Sequence, residues 1–175
     1  SIPAGTSAAK TGVSTPPVHP VATPQSGHAS DNLLAGLGPN LRAAALKGEA
    51  AAEFEVAVRL AEGRSVPQNM PAAAEWFERA AKKGLAPAQF RLAGLYEKGL
   101  GVEQSDVEAV KLFAKAAEQE VAVAQFSLGL MYKQGRGVEQ SDVEAANWYN
   151  KAAEQGHIVA QFNMGSNYLQ GLGVD

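Results

Sequence analysis

Residues 124–156 read AQFSLGLMYKQGRGVEQSDVEAANWYNKAAEQG, and the fold turns on what recurs around them. Ala124-Gln125-Phe126 echoes Ala52-Glu53-Phe54 and Ala88-Gln89-Phe90 before it and Ala160-Gln161-Phe162 after it, each 36 residues from the next. The same step relates Gly63, Gly99, Gly135 and Gly171, and also Val66, Val102, Val138 and Val174. A second group keeps it: Ala73, Ala109, Ala145; Trp76, Leu112, Trp148; Phe77, Phe113, Tyr149; and the pairs Ala80-Ala81, Ala116-Ala117, Ala152-Ala153. Many columns on one period are an internal repeat.

Each unit reads as two helices. Over 106–119, Ala109, Leu112, Phe113, Ala116 and Ala117 fall at i, i+3, i+4, i+7 and i+8, one wide helical face. Ser105-Asp106-Val107-Glu108 opens it as a capping box, and 141–144 repeats the pattern. Asn69 with Pro71 plays that part in the first unit. The preceding helix, near 86–98, carries Ala88, Leu92, Leu95 and Tyr96 on one side and ends at Gly99. Ala57, Ala93, Gly129 and Gly165 form a small-residue column that lets a neighbouring helix approach closely. The second helix closes at Gly84 and Gly156, with Glu120 at the same place in the middle copy.

Upstream, Leu41, Ala44, Ala45 and Gly48 match Phe77, Ala80, Ala81 and Gly84. The array therefore opens on a lone second helix near 39–47 and closes on a lone first helix near 158–170. The expected fold is all-α: a right-handed α-solenoid of about three and a half helix-turn-helix repeats plus the N-terminal half-repeat.

The remaining composition bounds function. The 175 residues carry 15 Lys+Arg against 18 Asp+Glu, a net charge of −3. No basic field marks a nucleic-acid binder. No apolar run approaches the ~20 residues of a membrane span, and without cysteine there is neither disulfide nor thiol chemistry. Five of nine prolines and nine Ser/Thr lie in residues 1–30, where large apolar side chains are scarce. Such a segment buries too little surface to offset its ordering entropy. Residues 1–35 are expected to be a disordered linker and 36–175 the solenoid, truncated within its last repeat.

Residues 124–156 resemble the Sel1-like repeat, a tetratricopeptide-like family, and the resemblance extends over about 40–175. It implies non-catalytic adaptor work, a superhelix that assembles protein complexes, in bacteria often in the envelope. A narrower resemblance lies in Leu37-Gly38-Pro39-Asn40-Leu41-Arg42-Ala43-Ala44, Phe54-Glu55-Val56-Ala57 and Leu85-Ala86-Pro87-Ala88-Gln89-Phe90. These are similar to the family of PodJ, a bacterial polar-organelle localisation factor. That family implies a periplasmic repeat array, a membrane anchor upstream of this fragment and a peptidoglycan-binding segment downstream.

No motif carries catalysis. Gly-x-Gly at Gly36, Gly99, Gly135 and Gly171 follows a helix rather than a strand, which makes it a turn, not a phosphate cradle. His19 and His28 have no partner ligands at metal spacing. His157 stands without a nucleophile motif and reads as a loop residue. Trp76 and Trp148 sit in a core column. Glu53 and Glu55, like Glu75 and Glu78, are expected on solvated helix faces. The protein is read as no enzyme, with no cofactor and no metal.

Variation between copies is the functional signal. Three columns of the first helix, at i, i+4 and i+7, change along the array: Glu55, Arg59, Glu62; Arg91, Leu95, Lys98; Ser127, Met131, Gln134; Asn163, Asn167, Gln170. Stacked, they form a stripe that reads as a protein-binding groove with a soft centre at Leu95 and Met131, or else as unconstrained solvent exposure. The expected role is a periplasmic scaffold in a cell-pole or envelope localisation factor, with envelope proteins as partners and no nucleic acid. A cytoplasmic location is the alternative compartment. The competing function is peptidoglycan binding, with Tyr96, Tyr132 and Tyr168 stacking sugar rings. The open C-terminal end adds an expectation of self-association there, with Met164 and Tyr168 in core columns facing a missing helix.

Overall fold

The computed structural model describes residues 33–171, and helices follow one another through them without a strand. In chain order they are α1 (Pro39–Leu46), α2 (Ala50–Glu62), α3 (Met70–Lys82), α4 (Ala86–Lys98), α5 (Asp106–Glu118), α6 (Ala122–Gln134), α7 (Asp142–Glu154) and α8 (Ile158–Gln170). Each helix packs chiefly on the next in sequence, as a solenoid requires.

Local chemistry sets the bounds. Ser105 and Ser141 accept the backbone N–H of Glu108 and Glu144 at 3.3 and 3.2 Å, and Asn69 accepts that of Ala72 at 3.0 Å. The first helix of each repeat ends in a left-handed glycine, with φ near +65° to +70° at Gly63, Gly99 and Gly135. The next amide reaches back five residues, Leu100 to the Leu95 carbonyl and Arg136 to that of Met131, each at 3.0 Å. Gln68, Gln104 and Gln140 then donate their side-chain amides to the carbonyls of Ala61, Glu97 and Lys133. One glutamine per repeat thus caps the carbonyl end of the first helix.

Among the described residues the core comprises three clusters strung along the array, each built on an aromatic pair joining the two helices of a repeat. The pairs are Phe54 with Phe77, Phe90 with Phe113 and Phe126 with Tyr149, with centroids 5.5–5.7 Å apart. Leu34 is fully buried in the first cluster and Leu33 packs against it, so packing begins ahead of Gly36. The linker expected up to residue 35 otherwise falls on residues outside the described ones, as do Val174 and Asp175.

Glu53 corrects an expectation. It is 0% exposed, held by Arg79 at 2.9 Å and Lys83 at 2.6 Å. Its column shows why. Gln89 and Gln125 donate to the carbonyls of Ala81 and Ala117 of the preceding helix and accept from Gln119 and Gln155. That position lies between successive second helices, and a carboxylate there needs cations.

Ser65 and Glu120 are left-handed without being glycine, at φ +64° and +62°. Glu120 is exposed and stands where Gly84 and Gly156 adopt the same conformation. Glu120→Gly is expected to stabilise the array by about 1 kcal/mol, read as a higher urea midpoint. An unchanged or lower midpoint would show that the backbone is relaxed there.

Candidate partner-binding groove

The first helices α2, α4, α6 and α8 bring the variable columns together in two places. A cavity of about 470 Å³ opens between α2 and α4, with Glu62, Arg91, Leu95, Lys98 and Ser127 in its walls and Phe77, Phe90 and Phe113 among its lining. A second, of about 340 Å³, lies between α6 and α8, with Gln134, Asn163 and Asn167 in its walls. Glu55 and Arg59 bond to each other at 2.7 Å and line neither cavity. The side chain of Gln170 is outside the described residues.

The soft centre is a correction. Leu95 is 8% exposed and Met131 1% exposed, and Asn167, expected on the surface, is 2% exposed. The i+4 column turns inward against the preceding repeat, so Leu95 joins the cluster of Phe77 and Met131 that of Phe113. The surface stripe is carried by the i and i+7 columns. It is charged at α4, where Arg91 and Lys98 are exposed and Arg91 faces Glu62 at 3.5 Å. It is milder at α6, where Ser127 turns its hydroxyl onto the Val123 carbonyl at 2.9 Å.

Other candidates resolve into structure. His157 caps α8, its Nδ1 accepting the Ala160 N–H at 3.2 Å, while its ring stacks on Phe126 at 4.7 Å. Arg79 and Lys151 lie 4.1 Å over Trp76 and Trp148. Tyr96 and Tyr132 are half-buried and pack on the clusters, whereas Tyr168 is exposed at the end of the array. Met164 is buried. Among the described residues, no group of three or more His, Cys, Asp or Glu could hold a metal ion. None of the described helices is long and apolar enough to cross a membrane.

Sequence reasoning missed two groups. Arg136 bridges repeats, gripping Asp106 at 2.7 and 3.3 Å and Glu97 at 3.0 Å. The Asp106 hydrogen bonds raise its pKa, burial opposes them, and Glu97 adds to the rise. Its loop column, which reads Arg64, Leu100, Arg136, varies between copies and so concealed it. Tyr149 is 0% exposed, and burial raises its pKa above the ordinary 10.0, partly offset by the Asn163 amide. For an acid with a raised folded pKa, the associated stability is complete below the unfolded value and is lost as pH rises through the folded one. Thermal melts between about pH 8 and 12 should therefore show an alkaline loss of stability that Tyr149→Phe reduces. An identical alkaline profile in the variant would remove Tyr149 from the explanation.

A family model described as the Sel1 repeat matches residues 50–85, 86–121, 122–157 and 158–175, register for register with the helix pairs. The chain belongs to the Sel1 repeat family. Proteins of this family generally serve as protein-interaction scaffolds.

Among solved structures, the Sel1 array is similar to a protective antigen of uropathogenic Escherichia coli strains displaying an SLR fold. That match has 42% identity and TM-score 0.75, and covers 77% of this chain and 29% of that one. A Sel1 repeat protein from Oxalobacter formigenes is 37% identical with TM-score 0.72, covering 79% and 55%. Cysteine rich protein B of Helicobacter pylori shares the fold, at 19% identity and TM-score 0.57, over 69% of this chain and 92% of that one. The chain thus spans less than a third of the first of these proteins and about half of the second. No curated protein sequence matches it significantly.

Proposed function

We propose that this Sel1 array is a non-catalytic scaffold that captures a protein segment along the face of its first helices. The observation that carries the reading is the recurrence of one cavity at the same place in the repeat. Glu62, Arg91 and Leu95 line the first, and Gln134, Asn163 and Asn167, each 72 residues on, line the second. An extended segment lying across the first helices would meet both. Arg91 and Lys98 are exposed at the first cavity beside Glu62 and Glu97, and charge at such a rim acts mainly on encounter rate and partner choice.

The finer reading is an adaptor in the periplasm, within a bacterial cell-pole or envelope localisation factor anchored upstream of this segment. It rests on the resemblance of residues 37–44, 54–57 and 85–90 to the polar-localisation family. Cell fractionation tests the compartment. Self-association through the last helix is a further part of the proposal, since Phe162, the next aromatic in the pairing column, is 77% exposed. Sedimentation velocity across a hundredfold concentration range tests it, and a constant monomer would reject it.

For the groove, a photo-crosslinking residue at Gln134 should trap one dominant envelope protein. Arg91→Glu with Lys98→Glu should reduce that yield about tenfold. Lys111→Glu with Lys115→Glu, on the second-helix surface, should leave it unchanged. The opposite pattern would place the partner on the second helices and end the groove reading.

A further inference from the structure

The two cavities share a position but not a chemistry. From the first to the second, Ala61 becomes Lys133, Phe77 becomes Tyr149 and Leu95 becomes Asn167, each a step of 72 residues. Three apolar positions thus turn into an amine, a phenol and an amide in one cavity of about 340 Å³. Two of the new groups are buried without hydrogen-bond partners. Tyr149 Oη and Asn167 Nδ2 are both closed to solvent and form no hydrogen bond of good geometry, although the Asn163 amide lies close enough to the phenol to hold its pKa down in part. Lys133 Nζ donates to Asn167 Oδ1 at 3.0 Å, which occupies that amide's acceptor and leaves its N–H groups over.

Burying a polar group without a partner is destabilising. The aromatic column already holds phenylalanine at Phe77 and Phe113, with no hydroxyl to satisfy. A fold that needed only packing would have no use for the phenol or the amide here. The leftover amide nitrogen can only donate and the phenol can donate, the local formal charge is that of Lys133, and no acidic side chain lines the cavity. A carboxylate is complementary to this set, since it only accepts and offers about four lone-pair sites to N–H and O–H groups.

We propose that the cavity between α6 and α8 binds a carboxylate of a partner peptide, with Lys133 as the cation and Tyr149 Oη and Asn167 Nδ2 as buried donors. The assignment rests on the groove reading above and names the chemistry at one end of it. Asn163, beside the phenol, turns aside on binding and opens the two donors to the ligand. The carboxylate is either an Asp/Glu side chain or a chain terminus, and the cavity has room for one such residue rather than a large ligand.

Four dipeptide probes separate the sources: N-acetyl-Glu-Glu and N-acetyl-Gln-Gln, each as free acid and as C-terminal amide. They are titrated into the full chain while the Asn163 and Asn167 side-chain amide signals and the Tyr149 ring signals are followed by NMR. The acids are expected to shift these signals saturably and the fully amidated Gln-Gln probe not to. Glu-Glu amide matching its acid identifies the side chain as source, and Gln-Gln acid matching Glu-Glu acid identifies the terminus. Tyr149→Phe and Asn167→Leu each write in a residue that another repeat already carries, so both should fold. Each should raise the melting temperature while weakening the acids about tenfold or more, the loss typical of a hydrogen bond to a charged group. Equal binding of the Gln-Gln amide, unchanged affinity in both variants, or no shift with any acid would overturn the assignment. Loss of the carboxylate site with retained Arg91/Lys98-dependent crosslinking would leave the groove reading standing. Loss of the crosslinking pattern alone would remove the groove and leave the site.

Discussion

Gly137→Ala should lower stability by about 3 kcal/mol or more, beyond what its backbone angle alone explains. Gly137 sits at φ +69°, and a Cβ there would lie 2.4 Å from the Asp106 carbonyl oxygen and 2.8 Å from the Val107 nitrogen. Those atoms are backbone at the start of α5, so no side chain can swing away. The loop of one repeat would have to lift off the helix of the previous one, at the place where Arg136 clamps Asp106. Gly84→Ala isolates the conformational part. It has φ +86° and nothing within 4 Å of the added carbon, so about 1 kcal/mol is expected. Urea denaturation compares the two. Equal losses would mean that the loop contact gives way freely and that repeats are joined elsewhere.

Gly129→Leu should be comparably severe, with a loss near 3 kcal/mol at the upper end of overpacking effects. Even a Cβ at 129 would stand 2.8 Å from the Tyr149 ring and 3.2 Å from the Ala145 carbonyl. Ala57 and Ala93 occupy this column in the earlier repeats, so the glycine is the companion of the third repeat's tyrosine. Gly94→Leu is the contrast, because open space surrounds its Cβ and leucine favours a helix over glycine by up to about 1 kcal/mol. Since Gly94 lines the larger cavity, that variant should stay folded while losing partner capture. A destabilised Gly94→Leu, or a tolerated Gly129→Leu, would reverse the assignment of inner and outer columns.

The helices were legible because their ends are chemical. Ser105, Asn69 and the glycines at 63, 99 and 135 cap or break them, and the observed limits of α4 and α8 coincide with those read from the repeat. The right-handed twist of the array remains an expectation from the sequence. The groove was legible only in part. A period names a stripe but not its tilt, and the superhelix turns the 95/131 column inward. Two apolar residues in one variable column, Leu95 and Met131, were already a core signature. Asn167 misled for the opposite reason, since an amide on a helix surface is the ordinary case. Glu53 was misread likewise. Only its alignment with Gln89 and Gln125 shows that the position is internal.

That same carboxylate has a consequence for how identical-looking repeats find their proper neighbours. Repeats alike in length and core invite slippage, in which one helix docks on the equivalent helix a full unit away or on another molecule. In the junctions beyond the first, the Gln89–Gln119 and Gln125–Gln155 pairs are interchangeable, so these contacts alone do not tell one copy from the next. The first junction differs. Slipped by one unit, α2 would bring Glu53 opposite Gln119 and lose Lys83, while Lys83 would face an uncharged amide. A buried carboxylate short of a cation is strongly disfavoured. The Glu53–Lys83 pair therefore numbers the array from its N-terminal end, giving a chain of near-copies one junction that fits only itself.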